Sequence, residues 1–291
     1  MNKINLVYYK GIINFGDLLS PFIISKLSGK DIIFKEFYKG FKLSFIDFLH
    51  AIHHWDFNYL NNKILPWQNN LIAVGSILNA GNSRSKIWGA GFLDSKDQFR
   101  GGKIYALRGP YSNKIIKEMG YKGCNIFGDP ALLLPIILPL KNSHNKFLGI
   151  IPHWRDYDKM INNSLIKYDI INLKTTDIIE KIKEITSYSY ILSTSLHGII
   201  VAHAYGIPAI WIKQNKIDGD DIKFKDYFSS VEIPLYEGFK NWEEIILSPR
   251  SIESFFNSNK NIALPNTDIT IIQKNLLRVA PFKLLTQYKN F

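Results

Sequence analysis

The sequence predicts an α/β protein built of two Rossmann-like domains facing a cleft, with ligand loops at the C-terminal ends of parallel strands. Two successive series of short apolar runs end in glycine-containing turns, helical periodicity follows most of them, and a polar connector, KNSHNK at 141–146, separates the series. At 291 residues and 46% hydrophobic content the chain can fill two ordinary cores. The expected division is 1–143, 144–265 and a terminal helical segment, 266–291.

The first series opens with INLVYY at 4–9, a buried-strand pattern, and GIINFGD turns it into LLSPFIISKLSG, a helix closed by Gly29. DIIFKEF reads as the next strand. The aromatic, basic stretch FYKGFKLSFIDFLHAIHHWDFNYL reads mainly as an amphipathic helix. LIAVGSIL, KIWGAGF and KIYALRG are short strands, and PYSNKIIKEMG is a helix with Pro110 at its first position and Gly120 just past its end. CNIFGDPALLLP closes the first half. FLGIIPH opens the second series, which continues through a helix around 158–167, strand YDIINL, helix TTDIIEKIKEI, strand YSYILST, helix GIIVAHAY and strand AIWIK. After KFKDYF, the apolar period of TDITIIQKNLLRVA suits packing back on the first domain.

Composition excludes several classes. The single cysteine, Cys124, rules out an intrachain disulfide framework and a cysteine-based zinc cluster, and fits a reducing cytoplasm. MNKINLVYYK lacks a signal-peptide pattern, and ALLLPIILPL at 131–140 is interrupted by Pro135 and Pro139, so a cytoplasmic chain without a transmembrane helix is expected. Net charge is +11, but only six of the 36 basic residues are arginine (Arg84, Arg100, Arg108, Arg155, Arg250, Arg278), which reads as compositional bias. With no arginine-rich run, zinc-finger spacing or RNA-binding aromatic motif, nucleic acid is not an expected partner; an anionic membrane surface or a small phosphorylated ligand is. His50, His53 and His54 lack the neighbouring carboxylates of a zinc protease, so no metal is expected. Gly89-Ala90-Gly91 is too short for a dinucleotide fingerprint, and the P-loop and G-x-S-x-G elbow are absent.

Candidate chemistry gathers at strand ends. In STSLHGIIVAHAYGIP, 193–208, a strand runs through Ser193, Thr194 and Ser195 into a helix, which puts His197 at a helix N-terminus. Free N–H groups and the helix dipole favour an anion there. Ser195 adds a hydroxyl donor and Gly198 permits close ligand approach; the alternative for such a histidine is a satisfied core or capping residue. NFGDLL sets Asn14, Gly16 and Asp17 just after the first strand, with Asp17 either a helix cap or a base. LRGPYS puts Arg108 where a guanidinium can clamp a phosphate or carboxylate, an ion pair being the alternative. His153 and Arg155 of PHWRD and Lys223 and Lys225 of KFKDY complete a set of strand-end cations. Asp129, between Gly128 and Pro130, reads as a turn residue that orients a loop.

Taken in order, NFGDLL, AVGSIL, IWGAGF, ALRGPYS with EMGY, FGDPALLLP, IPHWRD, and ILSTSLHGIIVAHAYGIPAIWI with KFKDYF resemble the polysaccharide pyruvyl transferase family. The resemblance implies a GT-B-like fold, with an acceptor side at 1–143 and a donor side at 144–265. It implies phosphoenolpyruvate as donor substrate, no cofactor, and as acceptor a sugar of a bacterial cell-surface polysaccharide precursor, capsule or exopolysaccharide. It also implies donor binding by Arg108 and His197, and sets Lys225 where related sequences often carry arginine, a change that keeps the charge but loses the fork.

Forming a pyruvate ketal requires an acid, a base and cationic support for departing phosphate. His197 is the expected acid or donor-binding group and Asp17 the expected base. Arg108 and Lys225 are the expected clamps, with Ser195, Gly198, His153 and Arg155 beside the donor. Asn14, Gly16, Gly89, Gly91 and Asp129 fall to the acceptor side or its loops. Because His197 and Arg108 come from different halves, the site is expected between the domains. Two rival readings are a GT-B glycosyltransferase using a nucleotide sugar, for which an acidic ribose-binding signature is missing, and a non-catalytic assembly or binding protein. The aromatic stretch 38–60 is expected either to face the core or to touch the anionic inner face of the plasma membrane, where a lipid-linked acceptor would be presented.

Overall fold

The strands are short, apolar and separated by helices, the pattern of crossover connections, and in the computed structural model every strand pairing is parallel. The structure describes residues 3–141, 143–214, 219–289 and 291. One position of the polar connector, Asn142, therefore lies outside the described residues.

The first sheet comprises β1 (Lys3–Val7), β2 (Asp31–Lys35), β3 (Asn70–Ile72), β4 (Ser85–Trp88) and β5 (Lys103–Ala106), in the order β2-β1-β3-β4-β5. Its helices are α1 (Phe15–Ser28), α2 (Phe41–His53), α3 (Pro110–Glu118) and the single turn α4 (Leu134–Ile137). The second sheet comprises β6 (Lys146–Ile151), β7 (Asp169–Ile170), β8 (Tyr188–Ser193) and β9 (Ala209–Trp211), in the order β7-β6-β8-β9. It carries α5 (Tyr157–Ile161), α6 (Ile178–Ile185), α7 (Leu196–Ala204) and α8 (Ile222–Ser230). The chain then runs through α9 (Trp242–Ile245), α10 (Pro249–Ser258), α11 (Lys260–Ala263) and α12 (Ile269–Arg278).

In each sheet the strand order reverses beside the first strand, between β1 and β3 and again between β6 and β8. Helices leave on opposite faces at such a point, and a crevice opens beyond the strand ends. The two crevices meet in one cleft.

Three local expectations change. The helix around 158–167 shortens to Tyr157–Ile161, and YDIINL contributes only Asp169–Ile170, an edge strand with a neighbour on one side alone. KFKDYF is not a loop: it lies within α8.

A single apolar core runs through both halves, joining Leu6, Phe15, Leu19 and Ile24 to Ile151, Leu192, Ile199 and Ile200, all fully buried. Each such side chain contributes about 1.5–3 kcal/mol by leaving water. A smaller core around Val7, Ile72, Ile87, Phe92 and Leu107 fills the far side of the first sheet. The Phe15 amide donates to the Leu173 carbonyl (2.8 Å) and the Tyr205 hydroxyl to the Leu138 carbonyl (2.8 Å), tying the halves together. Helix α12 returns to the first half: the Trp88 indole donates to Leu276 O (3.0 Å) and the Gln273 amide to Leu132 O (2.7 Å). Helix α2 forms as its periodicity predicts, but it does not face the core; only Ser44 and Ala51 of it are buried.

Candidate active site

The cleft has a volume of about 310 Å³, at the small end of small-molecule sites. Its walls come from the strand ends of both sheets: Asn14 and Asp17 after β1, Ser76 after β3, His153, Trp154 and Arg155 after β6, Ser195 and His197 after β8, and Lys223 after β9. Two helices present N-termini without side-chain caps here, α1 behind Asn14 and α7 behind Ser195. Their first-turn N–H groups and dipoles make the floor attractive to an anion.

The two histidines of α7 differ in how their ring nitrogens are satisfied. His203 is satisfied at both nitrogens, with Nδ1 3.0 Å from the Tyr227 hydroxyl and Nε2 3.1 Å from the Ala209 carbonyl. The carbonyl can only accept, so Nε2 donates and Nδ1 accepts. His197 has no such partners. Its Nε2 is buried and unbonded, and it faces Asp129 Oδ2 at 3.9 Å, an oxygen that is also buried and unbonded. The other Asp129 oxygen accepts from the Ala131 amide (2.9 Å), which fixes the carboxylate.

Burial, with the positive charges of Arg108, Lys223 and His153 adding to it, pushes the His197 imidazole down to about 3. Burial pushes Asp129 up to about 6 against the pull of the Ala131 amide and Arg108. At neutral pH an ionised Asp129 thus faces a neutral His197. The carboxylate favours the tautomer with its proton on Nε2, which leaves the lone pair on Nδ1.

Gly16 explains how the ring can sit there. A Cβ at Gly16 would lie 2.5 Å from His197 Nδ1, so only glycine lets the first turn of α1 approach the imidazole. Alanine would ordinarily strengthen a helix by nearly 1 kcal/mol. Gly16→Ala is instead expected to displace the ring and lower kcat/KM about 100-fold while the denaturation midpoint changes little, measured by turnover and thermal melting.

Asp17 lines the cleft and accepts from the Asn14 amide (2.8 Å), and burial raises it to about 6 against the Asn14 hydrogen bond and the Lys223 charge. It does not cap its helix through a side-chain bond. A carboxylate poised there can take a proton near neutral pH.

Other expectations are corrected by placement. Arg108 does not face the cleft: it is fully buried, and its guanidinium donates to Asp226 Oδ2 (3.1 Å), Ser76 Oγ (2.6 Å) and the Phe92 carbonyl (2.7 Å). Asp226 also accepts from the amide (2.9 Å) and hydroxyl (2.7 Å) of Ser112. The ion pair bridges the two halves. It reaches the cleft only through Ser76, whose hydroxyl oxygen accepts from Arg108 and so keeps its proton for a ligand.

Lys225 is likewise not a cleft residue. Residues two apart on a helix diverge by about 200°, so in α8 it is Lys223 that lines the cleft. Gly198 packs on its own sheet, a Cβ there meeting Ser193 Oγ at 2.7 Å and Ile151 at 2.8 Å. Gly89 and Gly91 make room for Pro130 and for the Arg108 guanidinium, with Cβ approaches of 2.3 and 2.4 Å. None of these three glycines lines the cleft. Asp129 does more than orient a loop, since it stands behind His197. Ser76, Trp154 and Asp226 lie inside AVGSIL, IPHWRD and KFKDYF, but sequence reasoning did not single them out as site residues. The described residues bring together no cluster of three or more metal-ligating side chains, and at the exposed end of α2 the His54 ring meets His50 at a tilt and His53 edge-on.

The family model of polysaccharide pyruvyl transferase matches residues 14–215, which span the cleft from Asn14 through His197. The chain belongs to that family. A pyruvyl transferase role in polysaccharide synthesis is the functional assignment this membership supports. A relative, uncharacterized protein L143 of Acanthamoeba polyphaga mimivirus, is 30% identical over 227 residues, covering 71% of this chain and 79% of its own. No solved structure matches. The pyruvyl transferase match ends before α8, so Lys223 and Asp226 are assigned to the cleft and its frame by geometry alone.

Proposed function

We propose that the chain transfers the enolpyruvyl group of phosphoenolpyruvate to two hydroxyls of one sugar in a cell-surface polysaccharide precursor, forming a ketal and releasing phosphate. The observation that carries the reading is His197 lining the cleft at the uncapped start of α7, with Asp129 facing its Nε2 at 3.9 Å and Gly16 packed against its Nδ1. The halves 1–143 and 144–265 serve as acceptor and donor sides of a GT-B-like arrangement, with 266–291 packed back on the first.

The reaction moves two protons. The donor methylene gains one and becomes a methyl, which leaves the central carbon electron-poor. Two sugar oxygens bond to that carbon, each losing its proton, and the carbon–oxygen bond to phosphate breaks. One hydroxyl proton replaces the one spent on the methylene and the other leaves with phosphate. His197 Nδ1 is the group assigned to protonate the methylene and Asp17 the group assigned to deprotonate the first hydroxyl.

An imidazole held near 3 carries no spare proton to donate in the empty cleft. Three negative charges of donor beside it reverse that balance, and an approach of about 1 Å would let Asp129 accept from Nε2 and support the imidazolium. The acid is thereby switched on by the substrate it protonates. The α7 amides, Ser195, Ser76 and Lys223 hold the phosphate and carboxylate, with His153 and Arg155 at the rim. No step calls for a cofactor.

The deciding experiment is incubation with phosphoenolpyruvate and a panel of glycosides, following phosphate release and the mass gain of a ketal. Transfer from a nucleotide sugar with no phosphoenolpyruvate turnover would establish the glycosyltransferase reading instead. Asp129→Asn separates support from packing. The folded-state value of this carboxyl is raised, so its stabilising contribution is complete below about 3.8 and is lost as pH rises through about 6. The variant is expected to be more stable than the parent by about 2–3 kcal/mol at pH 7.5, equal to it at pH 3.5, and yet slower about 100-fold. Unfolding at the two pH values and kcat measure both effects.

A further inference from the structure

Helix α2 turns its amphipathicity inside out. Phe41, Phe45, Leu49 and Ile52 recur at helical spacing and form one stripe, yet they are 66%, 39%, 49% and 44% exposed. The side against the protein carries the small Ser44 and Ala51, seven residues apart and in line. Trp55, 84% exposed, and Phe57 and Trp67 extend the patch, and more than half of the large exposed hydrophobics among the described residues fall between Tyr9 and Trp67. Patches of this kind mark contact surfaces.

Charge selects the partner. Of the carboxylates around the patch, Glu36 is paired with Lys63 (2.8 Å), while Asp47 and Asp56 are held by hydrogen bonds from the Tyr59 hydroxyl (2.8 Å) and amide (3.2 Å). Lys39 and Lys42, at the start of α2, are exposed and have no salt-bridge partner among the described residues, and Lys10 lies over the Phe34 ring (5.2 Å). An apolar stripe with Lys39 and Lys42 at its N-terminal end, on a chain of net charge +11, suits an anionic surface, whereas two copies of a chain so charged repel. No helix of the described residues is long and apolar enough to cross a membrane.

The patch also adjoins the cleft. Phe37, four residues before α2, lines it, and a groove of about 400 Å³ floored by Tyr8 and Phe34 shares Tyr9 and Phe37 with it.

We infer that α2 and the aromatic turns after it seat the chain on an anionic bilayer, with the helix lying in the headgroup plane and the cleft opening beside it. Lysines snorkel to the headgroups while the phenylalanines enter the acyl boundary. On the proposed reaction, and resting on that reading, the acceptor sugar reaches the groove on a lipid carrier.

Flotation of the full chain with phosphatidylcholine vesicles, with and without phosphatidylglycerol, tests the docking without any turnover, so its outcome is separate from that of the proposed reaction. Binding is expected only with the anionic lipid, and about tenfold weaker in Phe45→Ser/Leu49→Ser and in Lys39→Glu/Lys42→Glu. Both variants change exposed side chains and should keep the parent's unfolding midpoint and its phosphate release with a water-soluble glycoside. No flotation with either vesicle, equal flotation of all variants, or a dimer in solution that Phe45→Ser/Leu49→Ser dissolves would overturn the membrane assignment.

Discussion

Arg108→Ala is expected to destabilise the whole chain by about 3–5 kcal/mol, because it strands the Asp226 carboxylate in the interior without an opposing charge. Both side chains of the pair are fully buried, so solvent cannot screen the loss. The two Ser112 donors remain but cannot replace a guanidinium. For a chain of this size the melting temperature should fall by roughly 6–20 °C. The double variant Arg108→Met/Asp226→Leu removes both charges and should recover most of the loss, since a well-packed apolar pair can match a buried ion pair. An Arg108→Ala protein that melts like the parent and fails only to bind donor would return the guanidinium to the clamp role the sequence implies.

His197→Gln is expected to lower turnover about 1,000-fold, as loss of a general acid requires. Its effect on stability depends on pH. The folded-state value of His197 is depressed, so its stabilising contribution is complete above about 6.5 and is lost as pH falls toward about 3. Glutamine does not titrate. At pH 4.5 the variant should therefore gain about 2–3 kcal/mol relative to the parent compared with pH 7.5, read from denaturant midpoints at the two values. A variant with parent-like kcat would remove His197 from the proposed mechanism.

Sequence pattern carried the architecture further than the wiring. Glycine-ended apolar runs and well-marked helix ends such as Pro110 and Gly29 are local signals, and they suffice to locate the strands of both series along the chain, though not their order in the sheets. Asn14, Asp17, His153, Arg155, Ser195 and His197 all line one cleft because each follows a strand end, which pattern can locate. What was illegible depends on pairs far apart in the chain. Arg108 looks like a ligand clamp until Asp226, 118 residues later, is seen to neutralise it. Asp129 reads as a turn residue until the fold sets it against His197. The helical period of KFKDYF could have shown that Lys223 and Lys225 diverge, and that Lys223 and Asp226, three apart, share a side. For α2, periodicity revealed a stripe but not its direction, because Ser44 and Ala51 left too little surface to advertise an inward face.

The return of α12 to the first half bears on synthesis. Gly128, just before Asp129, is packed so closely on α12 that a Cβ there would stand 2.4 Å from Ile272, and Gln273 holds the Leu132 carbonyl of the same turn. The backing of His197 is thus clamped by residues made some 140 positions later than the turn they clamp. A nascent chain still lacking them on the ribosome carries Asp17 and His197 but not the wall that fixes Asp129. The contact between Asp129 and His197 should therefore settle last, after the sheets have formed.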